Sequence, residues 1–211
     1  MTRDSNEAST PDRILDAAEA LAQTRGFNGF SYAHIAAELG ITKASLHYHF
    51  RGKAELGEAL IARYAERFAY ALRAIDDECG DASDKLTAYA ALYSGVLDAG
   101  HMCLCGMFAA EYETLPKPMG EAIVRFFDTN HAWLTRVLEE GRAHETLVFD
   151  GDPSDGAQAI LGGLEGALLV ARPYGDPARF EAAANRLLAP FARSAGTSAR
   201  RGVEPAVTRL A

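Results

Sequence analysis

Cysteine is scarce. The three residues, Cys79, Cys103 and Cys105, are odd in number and lack scaffold spacing, which excludes a disulfide-built mini-fold and fits free thiols in a reducing compartment. No run of about 18 apolar residues exists. The greasiest stretch, Ala157 to Val170, carries Glu165 and three interior glycines, so no membrane helix and no membrane partner is expected. The opening MTRDSNEASTPDR lacks an apolar h-region, so no secretory signal is expected and the cytoplasm is the expected compartment. Catalytic signatures are missing too: there is no Gly-rich phosphate loop, no Gly-x-Ser-x-Gly elbow and no His-Glu-x-x-His. Glu111 and Glu113 adjoin apolar residues without a matching partner, and His101 with Cys103 and Cys105 lacks the second ligand pair of a zinc site. Neither catalysis, nor a cofactor, nor a metal is expected.

What is there is ordinary for a globular chain of 211 residues: 48% hydrophobic, 24% charged, 9% aromatic, enough to bury a core in one large domain or two small ones. The net charge of −8 is unevenly placed. Residues 1 to 53 hold six basic and six acidic residues, so the whole acidic excess lies beyond them, and Ile41 to Lys53 has three basic residues and no acid. That local positive field is compatible with phosphate contact whatever the total charge.

Helical signals dominate and no strand hairpin is found, so the expected class is all-α. Thr10-Pro11 reads as cap and first helical position, with a helix to Arg25 stopped by Gly26. Ser31 caps a short helix ending at Gly40, and Thr42 caps another from Lys43 to His49: helix, tight turn, helix, the second able to enter a major groove. A long helix is expected from Lys53 to about Asp77, others over Asp84–Ala99 and Met107–Tyr112, a long amphipathic one from the Pro116-Pro118 break to Glu145, and two opened by Asp152-Pro153 and Asp176-Pro177. The expected division is a flexible 1–10, a helix-turn-helix domain over 11–53, a helical ligand-binding and dimerisation domain over 54–195, and a frayed tail over 196–211.

The run Phe30-Ser31-Tyr32-Ala33-His34-Ile35-Ala36-Ala37-Glu38-Leu39-Gly40-Ile41-Thr42-Lys43-Ala44-Ser45-Leu46-His47-Tyr48-His49-Phe50-Arg51-Gly52-Lys53-Ala54-Glu55-Leu56 closely resembles the DNA-binding domain of the TetR/AcrR family of bacterial regulators. The match is motif-grade over about Pro11 to Leu60 and architectural beyond. The resemblance implies a three-helix DNA-binding domain joined by a long helix to a C-terminal helical domain, a homodimer, a double-stranded operator, and a small-molecule effector that releases it. One departure stands out. The family usually reads Leu-Tyr-x-His-Phe, whereas this chain reads Leu46-His47-Tyr48-His49-Phe50, which shifts the phenol by about 100° around the helix.

Side-chain chemistry gives the expected roles. Lys43 suits guanine or phosphate, Ser45 a base edge and the Ala44 methyl a thymine methyl, while Thr42, His47, Tyr48 and Lys53 suit the backbone. His49 and Phe50 read as packing, and His34 as a surface residue. Tyr89, Tyr93, Met102, Cys103, Met107, Phe108, Phe127, Asn130, His131 and Leu134 form a mostly apolar set suited to an effector, but equally to a core. Asn130 stands out because a buried amide needs a partner. Cys103 and Cys105 leave a thiol sensor of electrophiles or oxidants open on the same scaffold, and a small all-α thiol or metal enzyme is the other class. The glycines and alanines of the last two helices, Gly162, Gly163, Gly166, Ala182 and Ala183 among them, suit close pairing with a second copy.

Overall fold

A computed structural model describes residues 9–191, and among these every regular element is helical. The α-helices are α1 (Thr10–Arg25), α2 (Tyr32–Leu39), α3 (Lys43–His49), α4 (Lys53–Glu78), α5 (Ala82–Asp98), α6 (Leu104–Ala109), α7 (Lys117–Ala143), α8 (Pro153–Ala171) and α9 (Pro177–Leu188), with short 3-10 turns at 112–114, 172–174 and 189–191. The expected tail over 196–211 and most of the expected flexible start lie outside the described residues.

Caps set the helix ends. Ser9, not Thr10, is the N-cap of α1: its hydroxyl accepts from Asp12 N–H, and Thr10 is already helical. Asp81, Asp152 and Asp176 cap α5, α8 and α9 in the same way. Gly40 ends α2 at φ 66°, a left-handed conformation that glycine adopts without strain, and from there the chain turns directly into α3. The short α6 begins at Leu104, three residues before the Met107 start read from the sequence. Leu104, Cys105 and Phe108 are buried there, and that burial outweighs the weak helix propensity of a Cys-Gly pair.

The chain forms two compact units. The first comprises the described residues up to Tyr64 together with Leu104–Ile123; the second comprises Ala65–Cys103 and the described residues from Val124 onward. The boundary of the first unit therefore departs from a cut after Lys53, because it takes in the first turns of α4, all of α6 and the start of α7. Its core is built from Ile14, Leu21, Ile35, Leu46, Leu56 and Leu60, with Phe27 edge-on to Phe108 at 5.6 Å between centroids. In the second unit α8 packs on α9, and both pack on α5, around Leu86, Ile160, Leu164, Leu168 and Phe180.

Asp76 ties the second unit together. It accepts from Lys85 at 2.9 Å, the Trp133 indole at 3.0 Å and Arg136 at 2.6 Å. Burial opposes its ionisation, but the three donors and the Arg136 charge outweigh that and hold the carboxyl below its ordinary range.

Candidate nucleic-acid interface and effector region

Helix α3 turns one apolar residue inward and the rest of its face outward. Leu46 is fully buried, whereas Lys43, Ala44 and His47 are exposed and Tyr48 keeps 85% of its surface. Thr42 Oγ1 accepts from Ser45 N–H at 3.1 Å, which fixes the first turn and leaves Ser45 half-buried. His47 Nδ1 lies 3.2 Å from the Arg51 carbonyl, and its ring sits against Tyr32 with 4.8 Å between centroids. A carbonyl only accepts, so Nδ1 is the donor in this hydrogen bond. The adjacent His49 is half-buried, Phe50 is buried, and the Phe50 carbonyl accepts from Tyr32 Oη at 3.0 Å. Burial, with the Glu55 charge added, pushes the Tyr32 phenol up to about 12. His34 is exposed as expected, and its ring accepts from Ser31 N–H at 3.2 Å.

Lys53 is placed differently from the expectation of a backbone contact. Its ammonium donates to the carbonyls of Phe27 and Phe30 and lies 4.5 and 4.4 Å from the centres of their rings. Desolvation lowers the pKa of this lysine against the opposing pull of Glu111. The same turn is held from the other side by Glu111, whose carboxylate accepts from the N–H of Phe27 at 2.5 Å and of Asn28 at 3.2 Å, while Asn28 Nδ2 donates to Thr114 Oγ1 at 2.8 Å. Gly26 has φ 76°, and a Cβ there would sit 2.9 Å from the Glu111 carboxylate, so glycine is required twice over. The turn leading into α2 is thus gripped by Lys53 of α4 and by the segment after α6.

The residues expected to meet an effector divide between the units. Met107 and Phe108 belong to the first, and Phe108 is part of its core. The other eight lie in the second, where Tyr89, Tyr93, Met102, Cys103, Asn130 and Leu134 are buried and Phe127 and His131 are half-buried. The Asn130 amide has partners within the protein: Oδ1 accepts from Tyr89 Oη at 3.1 Å and Nδ2 donates to the Phe126 carbonyl at 2.8 Å. Tyr89 and Tyr93 hydroxyls lie 3.2 Å apart, and His131 Nε2 donates to the Ser154 carbonyl at 3.0 Å. Burial above all pushes both phenols well above their ordinary range.

Two family models match the chain. One, described as bacterial regulatory proteins of the tetR family, covers residues 14–60; the other, a tetracyclin-repressor-like C-terminal domain, covers residues 82–187. The chain belongs to the TetR family. A TetR-family regulator from Agrobacterium tumefaciens is 33% identical, superposes with a TM-score of 0.83, and is matched over 86% of this chain and 97% of its own. One from Legionella pneumophila is 34% identical at a TM-score of 0.79 over the same shares. The Escherichia coli transcriptional repressor NemR is 28% identical over 173 residues, 79% of this chain and 85% of its own.

This TetR-family protein is therefore a transcriptional regulator and not an enzyme. Among its described residues no three His, Cys, Asp or Glu are grouped to hold a metal ion, and no helix is long and apolar enough to cross a membrane. Two carboxylates were missed as site residues. Glu111 acts 84 residues away in sequence, and no local pattern announces it. Glu165 does carry a signal, as the lone charge in an apolar and glycine-rich stretch. In the TetR-family fold its carboxyl is hydrogen-bonded with Cys103, while Oε1 is closed off from solvent and has no partner.

Proposed function

We propose that this regulator is a repressor that binds an inverted-repeat operator as a homodimer and leaves it when a small molecule occupies the second unit. The observation that carries the reading is the α3 face, where Lys43, Ala44, His47 and Tyr48 stand exposed on a helix capped by Thr42. Lys43 and Ser45 suit base edges; Thr42, His47 and Tyr48 suit phosphates. Lys53 serves the interface indirectly, by holding the turn that leads into α2.

Dimerisation is assigned to α8 and α9. Gly162 and Gly166 have nothing near the position of a side chain, and the neighbouring Leu169 and Val170 are 59% and 65% exposed. Small and apolar residues at an open helix face suit a second copy of the chain in the manner usual for the family. One recognition helix reads few base pairs, and twofold symmetry supplies the second at about 34 Å or a multiple of it. The name of NemR, a transcriptional repressor, supports the sign of regulation. Helix α4 starts in the first unit and ends in the second, which makes it the connection through which an effector alters DNA affinity.

Reversible binding is favoured over thiol sensing. Cys103 and Cys105 are both shut away from solvent, and the charged group hydrogen-bonded with Cys103 is a carboxyl rather than a cation that would hold a thiolate. Sedimentation and operator titration with the inverted repeat beside the gene test the proposal. A dimer with a salt-dependent, sequence-specific affinity is expected; a monomer with undiminished affinity overturns it.

A further inference from the structure

The second unit holds a polar chain with a defined direction. Asn130 Oδ1 accepts from Tyr89, so the Tyr89 proton is committed and the Tyr93 hydroxyl donates to Tyr89. Tyr93 is left with its oxygen lone pairs as an acceptor. Close enough to raise the pKa of both phenols electrostatically stand Cys103 and Glu165. Glu165 is half-buried as a residue, yet its Oε1 is inaccessible and without a hydrogen-bond partner, and no basic side chain among the described residues offsets its charge. The surroundings are aromatic: Phe68 meets Tyr89 at 6.1 Å and Tyr93 at 6.2 Å between centroids, and Trp133 stacks on Tyr89 at 5.5 Å.

A buried carboxylate oxygen with no donor is an expensive group unless it is protonated or meets a positive one. Among the described residues neither a lysine nor an arginine meets it; the unit supplies a second acceptor in Tyr93 and the negative faces of aromatic rings, which attract cations. We propose that Glu165, with Tyr93, is the anchoring point for an organic ammonium effector, its N–H groups meeting Glu165 Oε1 and Tyr93 Oη and its apolar body lying among the rings. The inference rests on reading the second unit as the effector domain, and it specifies the chemical class that the unit selects. Acids are rejected by the same two acceptors, and neutral isosteres of the amine lose the charge-assisted bond.

Trp133 is the single tryptophan, stacked on the tyrosine that continues the chain, so its emission reports occupancy. The dimer as purified is titrated with 2-phenylethylamine, 2-phenylethanol and 3-phenylpropanoate. The amine is expected to saturate the Trp133 signal at about tenfold lower concentration than the alcohol, with the carboxylate weaker than both. In Glu165→Gln the preference for amine over alcohol is expected to collapse to within about threefold. Equal binding of amine and alcohol by the parent, tighter binding of the carboxylate, no saturable response to any of the three, or an undiminished amine preference in Glu165→Gln each overturns the proposal. If the variant fails to fold, the comparison among the three probes on the parent decides alone. Operator binding by the unliganded parent tests the regulator reading separately, so a protein that binds DNA and ignores the amine refutes the ammonium site only.

Discussion

The two compact units keep their chemistry in opposite places. In the first, the exposed groups that suit a partner stand on α3, while buried and half-buried polar side chains serve the fold itself: Glu19 pairs with Arg63 at 2.6 Å, and Lys53 and Glu111 clamp the turn at residues 26–30. In the second, polar groups lie within: Tyr89, Tyr93 and Asn130 are hydrogen-bonded in series beside Phe68 and Trp133, and Glu165 Oε1 is closed off from solvent. A surface as large and rigid as duplex DNA calls for an exposed face, and on the proposed reading Thr42, Lys43, Ala44, His47 and Tyr48 offer one within seven consecutive residues. A small-molecule effector, as proposed for the second unit, is surrounded instead, which calls for groups from helices far apart in sequence.

The sharpest way to break this contrast is through the segment of the first unit that comes from beyond residue 100. Phe108→Ala removes a fully buried ring packed edge-on to Phe27, and a loss of about 3–5 kcal/mol is expected in urea unfolding. Operator affinity should fall with it, although Phe108 is no DNA contact. A variant that unfolds at the parent's midpoint would show that residues 104–123 are not part of the DNA-binding unit's core.

Next in size is a pH effect carried by the second unit. Burial raises the Glu165 carboxyl from 4.5 to about 7, against the hydrogen bond from Cys103. The folded state therefore holds this proton more tightly than the unfolded chain. Its contribution is complete below about pH 4.5 and is lost as pH rises through about 7, up to about 3 kcal/mol across that window. Asp76 works in the other direction: held below its ordinary value, it stabilises at neutral pH and ceases to as pH falls through its folded value. Melting temperatures at pH 5 and pH 8 separate the two, because Glu165→Gln should flatten the decline between those values and melt above the parent at pH 8. A parallel decline in both proteins would mean that another group titrates there.

Comparable effects of about 1–3 kcal/mol are expected at two positions in the first unit, and they differ in kind. Lys43→Ala should weaken operator binding by that amount if the lysine reads a base, leaving the melting temperature alone. Glu111→Ala should lower stability, since it leaves the N–H groups of Phe27 and Asn28 unsatisfied. Gel-shift and thermal titrations on both variants cross-check the assignment: Lys43→Ala altering stability and not binding would remove α3 from the groove.

Much of the first unit was readable because its signals are local. Gly40, Thr42 and the Ile35-Leu46 spacing lie within a dozen residues, and caps act over three. The cap of α1 was misplaced by one residue because Ser9 and Thr10 carry the same chemistry and only geometry separates them. What stayed hidden is non-local. Lys53 in a basic stretch reads as a phosphate contact, and nothing near it says that two carbonyls more than 20 residues away take its ammonium. Asn130 read as an amide in want of a partner, and its partner is a phenol 41 residues earlier. Glu165 was visible as an anomaly in composition, but its closed-off oxygen follows from the packing of α8 and not from the spacing of its residues.

The smallest expected effect isolates the local half of the contrast. Thr42→Ala removes the one side chain that satisfies an N-terminal N–H of α3, a helix of only seven residues, and a loss of about 1 kcal/mol is expected from cap substitutions in general. Because Leu46 is the one fully buried residue of α3, that loss should fall on the order of its first turn more than on the melting of the whole unit. Amide exchange at Ser45 should quicken, and operator affinity should drop more than global stability, since Lys43 and Ala44 ride on the same turn. Thr42→Ser keeps the accepting oxygen and should restore both. If Ser fails to rescue binding while exchange at Ser45 returns to the parent rate, the threonine methyl is itself a contact to DNA, and the cap is only half of what position 42 does.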